Sequence, residues 1–377
     1  MALIVISFLS VSLTLCYVAA VFYFKKGWKR ILHFSPGADI PSTSVSILIA
    51  ARNEEEKIAF TIEDILKQNY PLGLVELIVV DDHSTDRTAN IVEWYGNKGV
   101  KLIKLNEDKA LNSYKKKAIT EAIKVAKGDV IITTDADCRM GAEWLRTVVA
   151  YFEKHNSKLV SSPVSYTKEK SFFERLQTLE FLYLIGLGAS SIGNKKPSTC
   201  NGANLAYRKD VFLELKGFQG IDDLASGDDE LFLHKVASKY PDGIGFCKSK
   251  LAMVYTDAKP NLTEFIRQRK RWASKSTRYK DKRIVALGVV IWLFNILILL
   301  NMVLSFFNSS YFLVLLLIFL LKFIAEFVFL STITQFARRK ELLSYLPVLT
   351  VIHVFYIVYI GIAGNSGKYV WKGRLVR

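Results

Sequence analysis

Carboxylates recur just behind short apolar runs in this 377-residue chain. Asp135 and Asp137 stand two apart after the run 129–134, and on an extended backbone their side chains leave the same face. Two carboxylates converging in this way suit a hard divalent cation, Mg2+ or Mn2+, which takes few protein ligands and completes its shell with phosphate oxygens and water. Polar clusters also follow two earlier runs: Arg52-Asn53-Glu54 after 45–50, and Asp81-Asp82-His83-Ser84-Thr85-Asp86 after 74–80. A further acidic group, Asp228-Asp229-Glu230, is preceded by Asp222-Asp223. Alone it reads as a solvated turn or helix start, where negative charge is favoured. Gln268, Arg271 and Trp272 share one side of an expected helix at i, i+3 and i+4. Alone they read as a basic interfacial helix with a tryptophan anchor.

Such residues act together only if the elements carrying them share an edge. Residues 45–50, 74–80, 100–105 and 129–134 are short apolar runs suited to buried strands, and 55–69, 85–95 and 115–127 have the period of helices. Strands alternating with helices imply a parallel sheet with right-handed crossovers. Ligands of such sheets bind beyond the carboxyl ends of the strands, where these acidic clusters fall. Residues 35–44, with Pro36, Gly37 and Pro41, read as a linker. Residues 171–193 are rich in Phe, Leu and Ile with only three charges, Glu174, Arg175 and Glu180, and read as a buried helix or as an amphipathic one lying on a bilayer.

The net charge is +16, from 51 Lys and Arg against 35 Asp and Glu, yet the chain is 51% hydrophobic. The two facts reconcile because residues 1–24, 284–321 and 342–367 contain no Asp, Glu, Lys or Arg. An ordinary soluble enzyme does not sort its charges this way, and a disordered chain is not so apolar. Residues 1–24 are long enough to span a bilayer. Lys25, Lys26, Lys29 and Arg30 follow that run instead of preceding it, which favours a retained anchor with its C-terminal side in the cytoplasm. The run 284–321 is too long for one span and is divided by Asn308-Ser309-Ser310, giving helices near 284–306 and 311–330. The second carries Lys322 and Glu326 on one face, where they either pair or line a pathway. Residues 342–367, with Pro347 and His353, read as a further span or as a re-entrant or interfacial segment, because basic residues on both sides ask for the cytoplasm.

Residues 31–266 are nearly neutral, and the positive excess lies mainly in collars at 25–30, 267–283 and 368–377. A nucleic-acid binder spreads basic residues over a domain face, so no nucleic acid is expected; collars beside apolar runs suit a bilayer containing anionic lipid. Cys16, Cys138, Cys200 and Cys247 form no CxxC pair, and the five histidines form no i,i+4 pair. Free thiols in a reducing compartment and no zinc site are expected.

Residues 43–280 resemble the family 2 glycosyltransferases, the nucleotide-sugar-dependent inverting group with a GT-A fold. The resemblance rests on Ala51-Arg52-Asn53-Glu54, the DDxSxD of Asp81–Asp86, the DxD of Asp135–Asp137, Gly227-Asp228-Asp229 in the place of the ED-type pair, and the QxxRW of Gln268–Trp272. It implies nucleotide binding by Arg52, Asn53, Glu54, Asp81, Asp82, Asp86, Lys109 and Asp135, and metal binding by Asp137 with Asp135. It also implies that Asp229, with Asp228, is the catalytic pair, and that Asn201, Gly202, Gln268, Arg271 and Trp272 serve the acceptor or diphosphate side. Two departures stand out: Asp-Asp replaces Glu-Asp, and the usual Gly-Lys before the third helix is blurred into Asp108-Lys109 and Lys115-Lys116-Lys117.

The expected organisation is an anchor at 1–24, a basic collar and linker at 25–42, and an α/β GT-A domain at 43–283 that includes interfacial helices. Two or three membrane spans at 284–367 and a basic tail at 368–377 follow. The expected function is transfer of a sugar from a nucleotide sugar, a UDP-sugar, to a lipid, lipid-linked or growing glycan acceptor, with Mg2+ or Mn2+, at the cytoplasmic membrane face. A processive polysaccharide synthase of the same family is the alternative. A phosphatase using the DxD is disfavoured by Cys138 and leaves DDxSxD unexplained. A non-catalytic membrane scaffold or transporter would release no nucleotide from any nucleotide sugar.

Overall fold

The computed structural model describes residues 2–107, 111, 113–364, 369–372 and 374–376. Helix α1 (Ala2–Arg30) comes before β1 (Val45–Ala51), α2 (Ile58–Leu66), β2 (Val75–Asp81), α3 (Thr88–Trp94), β3 (Val100–Lys104), α4 (Tyr114–Val125) and β4 (Val130–Asp135). A short β5 (Arg139–Met140) leads to α5 (Trp144–Lys154), β6 (Leu159–Ser161), β7 (Val164–Thr167) and α6 (Phe172–Gly193). Next come β8 (Leu205–Arg208), α7 (Lys209–Glu214), α8 (Glu230–Lys239), β9 (Ile244–Phe246) and β10 (Val254–Asp257). The last elements are α9 (Leu262–Ser274), α10 (Lys282–Ser305), α11 (Ser309–Ala337), α12 (Leu346–Ala363) and the strands β11 (Tyr369–Trp371) and β12 (Arg374–Val376). These elements form two compact units, one of Arg30–Lys168, Ser191–Asp257 and Lys368–Arg377, the other of Met1–Lys29, Glu169–Ser190 and Ala258–Gly367.

The first of these units is built on a seven-stranded sheet in the order β3-β2-β1-β4-β8-β6-β9. The strands from β3 to β4 are parallel, β8 is antiparallel to β4 and β6, and β9 is parallel to β6. This is the α/β, mostly parallel sheet expected from the alternation of apolar runs. β1 is almost wholly buried, as a central parallel strand covered on both faces must be. Register sets Asp81 beside Ala51 and Asp135 beside Ala50, so the polar ends of β2, β1 and β4 share one edge.

Two helices begin later than their apolar period suggests, and the same edge explains both. Residues before α2 form a turn in which the Glu54 carbonyl accepts from the amides of Lys57 and Ile58. Before α3, the Asp86 carboxylate accepts from the Thr88 amide at 2.9 Å and the Thr88 hydroxyl at 2.5 Å. Helix α4 buries Ala118, Ile119, Ala122 and Ile123 in one core with Leu48, Ile78, Val80 and Ile131. Lys116 on the same helix is 1% exposed. Its ammonium donates to the carbonyls of Ile221, Leu224 and Ser226 at 2.6–2.7 Å, which uses all three of its protons. The segment ahead of Asp228 is thereby tied to α4. Gly227 follows at φ +86°, where a Cβ would also meet the Leu231 side chain, so only glycine turns the chain into Asp228 without strain.

Among the described residues, four helical stretches are long and apolar enough to cross a membrane: Leu3–Arg30, Lys282–Ser305, Ser309–Ala337 and Lys340–Ala363. The division at Asn308-Ser309-Ser310 falls where expected, with the Asn308 side chain capping α11. Residues 342–367, left open between a span and a re-entrant segment, supply the helix α12, with Pro347 in its first turn, where its missing N–H costs nothing. Helix α6 is the buried alternative for residues 171–193: Leu176–Leu182 are buried, and Gly186 lies where a Cβ would strike Ile333. Lys322 and Glu326 pair at 2.6 Å, and Tyr17 and Thr350 add hydroxyl donors to the Glu326 carboxylate at 2.6 and 3.0 Å.

Replacing Lys322 alone by Leu strands a buried carboxylate and is expected to cost about 3–5 kcal/mol. The Lys322→Leu/Glu326→Leu double variant should recover much of that loss, read as thermal midpoints in detergent. Lys116→Met removes the ammonium from the carbonyls of Ile221, Leu224 and Ser226, of which Leu224 keeps the Ser113 hydroxyl, and is expected to cost about 2 kcal/mol in the same measurement.

Candidate active site at the strand ends

The two loops after β1 and β2 are interlocked by their own polar side chains. Asn53 and His83 both adopt left-handed backbone, at φ 51° and 54°. The Asn53 amide donates to the Ser84 hydroxyl at 3.0 Å, and its side-chain carbonyl accepts from the Thr85 amide at 2.8 Å. Arg52 donates to the carbonyls of Asp82 and His83 at 2.8 and 2.9 Å. Glu54 donates through its amide to the Thr88 hydroxyl at 2.8 Å. Asp86 also accepts from the Glu55 amide at 3.1 Å; burial alone would raise its pKa, but its bonds from Thr88 and Glu55 outweigh this and hold it lowered. Of the six residues assigned to the nucleotide on these loops, Asn53 and Asp86 therefore brace the loops themselves.

Asp81 is different. It is 6% exposed; one oxygen accepts from the Ser84 amide at 3.2 Å, and the other has no hydrogen-bond partner among the described residues. A buried carboxylate oxygen without a donor is costly unless something binds there. Its neighbour Asp82 is saturated, accepting from His83 at 3.0 Å and from Arg374 at 2.7 and 2.9 Å.

At the end of β4 the expected extended path stops at Asp135, and Ala136-Asp137 form a turn. The turn is clamped from α2, where the Thr61 hydroxyl lies 2.8 Å from the carbonyls of both Ala136 and Cys138. Beyond it, Arg139 is held by both oxygens of Asp64 at 2.6 and 2.9 Å. The turn still gathers its donors: ligand atoms of Asp135, Asp137 and Cys138 lie within 4.8 Å of one another. Burial, with Asp137 and Asp135 adding to it, holds the Cys138 thiol well above its ordinary pKa. A protonated thiol is a poor ligand for a hard cation, so the set that fits Mg2+ or Mn2+ is the two carboxylates, with water and phosphate completing the shell. Asp137 also accepts from the Thr256 hydroxyl at 3.2 Å, on β10.

The two acidic groups meet through Lys115, in the first turn of α4. Its ammonium lies 2.7 Å from Asp135 and 3.2 Å from Asp228. Burial alone would lower the Lys115 pKa, but Asp135 and Asp228 outweigh it and hold it raised. Asp229 caps α8, accepting from the Glu230 amide at 2.6 Å and from the Gly202 amide at 3.1 Å. A Cβ at Gly202 would stand 3.2 Å from Asp228 and 3.4 Å from Asp229, so glycine lets this backbone approach the pair. Asn201 lies beside them with its side chain capping the turn that follows, accepting from the Ala203 amide at 2.9 Å. Asn204, two residues beyond Gly202, is 1% exposed and bonded to Pro163, Ala252 and Trp144, a core position.

Lys109 lies outside the described residues. Gln268, Arg271 and Trp272 belong to the other unit, on α9. Of residues 268–272 the buried one is Arg269, which pairs with Glu180 of α6 and lies 4.3 Å from the centre of the Trp272 ring, while Gln268 accepts from it at 2.6 Å. The sequence signal for this pair was Glu180 itself, a carboxylate inside an apolar helix that requires a cation. Lys115 carried no comparable signal among three consecutive lysines, since helical phase alone does not say which one reaches the edge. Lys372 and Arg374, counted in a membrane-proximal basic tail, instead contact Glu54 and Asp82.

The family model for Glycosyl transferase family 2 matches residues 46–216. A beta-monoglucosyldiacylglycerol synthase of Nostoc sp. is 32% identical over 36% of this chain and 29% of its own length. A poly(ribitol-phosphate) beta-N-acetylglucosaminyltransferase of Staphylococcus aureus is 30% identical over 50% of this chain and 32% of its own. The matched stretches thus span under a third of either relative. A mannosyltransferase from Pyrobaculum calidifontis, solved with GDP-Man and Mn2+, superposes with a TM-score of 0.59 at 17% identity, covering 93% of this chain and 99% of that one. Residues 46–216, which carry the ends of β1, β2 and β4, therefore match the glycosyl transferase family 2 model, and the fold is the GT-A fold shared with the mannosyltransferase.

Proposed function

We propose that the chain is a membrane-anchored, inverting glycosyltransferase that moves a sugar from a nucleoside diphosphate sugar, a UDP-sugar, to a lipid acceptor at the cytoplasmic face. One observation carries the reading: Lys115 joins Asp135, next to the DxD turn, to Asp228, next to the candidate base, in a single charged cluster. Donor-binding and proton-accepting groups are thereby adjacent, as direct transfer between two bound substrates requires.

The free oxygen of Asp81 takes an N–H or O–H of the base or ribose, while Arg52, Asn53, Glu54, Asp82 and Asp86 hold the loops around it. Asp137 and Asp135 would hold Mg2+ or Mn2+, which supplies Lewis-acid charge to offset the diphosphate. Asp229 accepts the acceptor hydroxyl proton as that oxygen attacks the anomeric carbon. The bond from that carbon to the diphosphate oxygen breaks on the opposite side, so configuration inverts and no enzyme nucleophile is needed. Lys115 keeps Asp228 and Asp135 from repelling the departing diphosphate. The collars at 25–30 and 267–283 favour an anionic membrane surface, and the Nostoc relative makes a glycosylated diacylglycerol, so diacylglycerol is the first acceptor to test.

The test is nucleotide release by the detergent-purified chain with UDP-glucose, UDP-N-acetylglucosamine or GDP-mannose, with diacylglycerol supplied and the lipid product weighed by mass spectrometry. One sugar per lipid is expected; a ladder of products would mark a processive synthase. Asp229→Asn should lower turnover about 10²–10⁴-fold without unfolding the protein, and near-normal turnover would refute its role as base. Chelation with EDTA should stop release and added Mn2+ or Mg2+ restore it, whereas Asp137→Asn should stay inactive at any metal concentration.

A further inference from the structure

The hairpin β11–β12 places two cations on the strand-end edge of its own unit. Trp371 and Arg374 pair across the hairpin, and Lys372 lies in the turn between them. The Arg374 guanidinium bonds both oxygens of Asp82 and lies 3.7 Å from the centre of the Tyr114 ring. The Lys372 ammonium donates to the Arg52 carbonyl at 2.5 Å and to the Glu54 carboxylate, and the Lys372 carbonyl accepts from Arg52 at 3.4 Å. The hairpin thus grips the ends of β1 and β2 and the first turn of α4 together.

Two features make this more than a surface contact. Asp82 is 2% exposed, and a carboxylate so buried requires a cation. Arg374 takes Asp82 and leaves the inner oxygen of Asp81 unpartnered among the described residues, so the cation steadies the loop without filling its open acceptor. The same edge carries Glu54, Asp81, Asp82, Asp135, Asp137, Asp228 and Asp229, a charge that opposes any anionic ligand.

We propose that Arg374, assisted by Lys372, is a positioning residue of the donor site: it acts through Asp82 and Glu54 to hold the β1 and β2 loops and to neutralise the edge so that an anionic nucleotide sugar can bind. This rests on the nucleotide-sugar reading above. The partner implied is the diphosphate-bearing donor, not the lipid surface that a basic tail would otherwise suggest.

The experiment is steady-state kinetics of the full chain, using whichever of UDP-glucose, UDP-N-acetylglucosamine and GDP-mannose the wild type consumes. Arg374→Ala should raise the donor KM about tenfold or more while kcat changes less than about threefold, since a group used only in binding moves KM. Lys372→Ala should move KM in the same direction by less. Arg374→Lys, which keeps the charge but not the planar fork, should fall between wild type and Arg374→Ala. If Arg374→Ala fails to fold, Arg374→Lys and Lys372→Ala decide by the same KM criterion. An unchanged KM overturns the proposal, and so does a lowered KM, which would mark the hairpin as a strap that excludes the donor. A wild-type chain that consumes no nucleotide sugar and binds neither UDP nor GDP would instead overturn the glycosyltransferase reading.

Discussion

Carboxylates crowded on one edge of a sheet repel one another unless cations stand among them, and the strand-end region of this protein is organised by that constraint. Parallel pairing of β2, β1 and β4 brings the ends of three apolar strands to one edge, and the acidic residues come with them. Lys115 answers the repulsion between Asp135 and Asp228, Arg374 answers it at Asp82, and Lys372 at Glu54. Arg52 works differently, by drawing together the backbone carbonyls of the β2 loop. The inner oxygen of Asp81, without a hydrogen-bond partner among the described residues, and the carboxylates gathered in the DxD turn are where we propose that a donor and a cation bind.

The constraint is harsher in the unit of apolar helices, because a charge away from water is costlier still. Lys322 and Glu326 meet it within one helix, four residues apart, with Tyr17 and Thr350 completing the carboxylate's bonds. Arg269 and Glu180 meet it between helices α9 and α6, with the guanidinium also over the rings of Phe265 and Trp272. In both cases a polar residue in an apolar element has a named partner, which is the usual reason such a residue survives there.

Legibility in the sequence followed the range of the interaction. The strands were legible because a buried parallel strand is a continuous apolar run, and β1 and β4 are of that kind. The Lys322–Glu326 pair was legible because i,i+4 spacing on one helix is set by helical geometry alone. Helix starts were read too early at α2 and α3, where the polar loop side chains of the site hold the chain in turns. The path of the DxD was read as extended, but it turns after Asp135 because Thr61 on α2 captures the carbonyls on both sides of Asp137.

The sequence by itself determined the class of the sheet, the acidic character of its edge and the apolar helices, since each follows from periodicity and from residue types at short spacing. Only the tertiary structure decided which cation serves which carboxylate. Lys115 was chosen over its neighbours by the direction in which α4 presents it to β4 and the Asp228 loop. Arg374 reached Asp82 across 292 residues of chain, a separation that no local pattern encodes. Electrostatic pairing depends on distances of a few ångströms, and those are fixed by how elements pack, whereas the need for pairing is written in the composition of the edge itself.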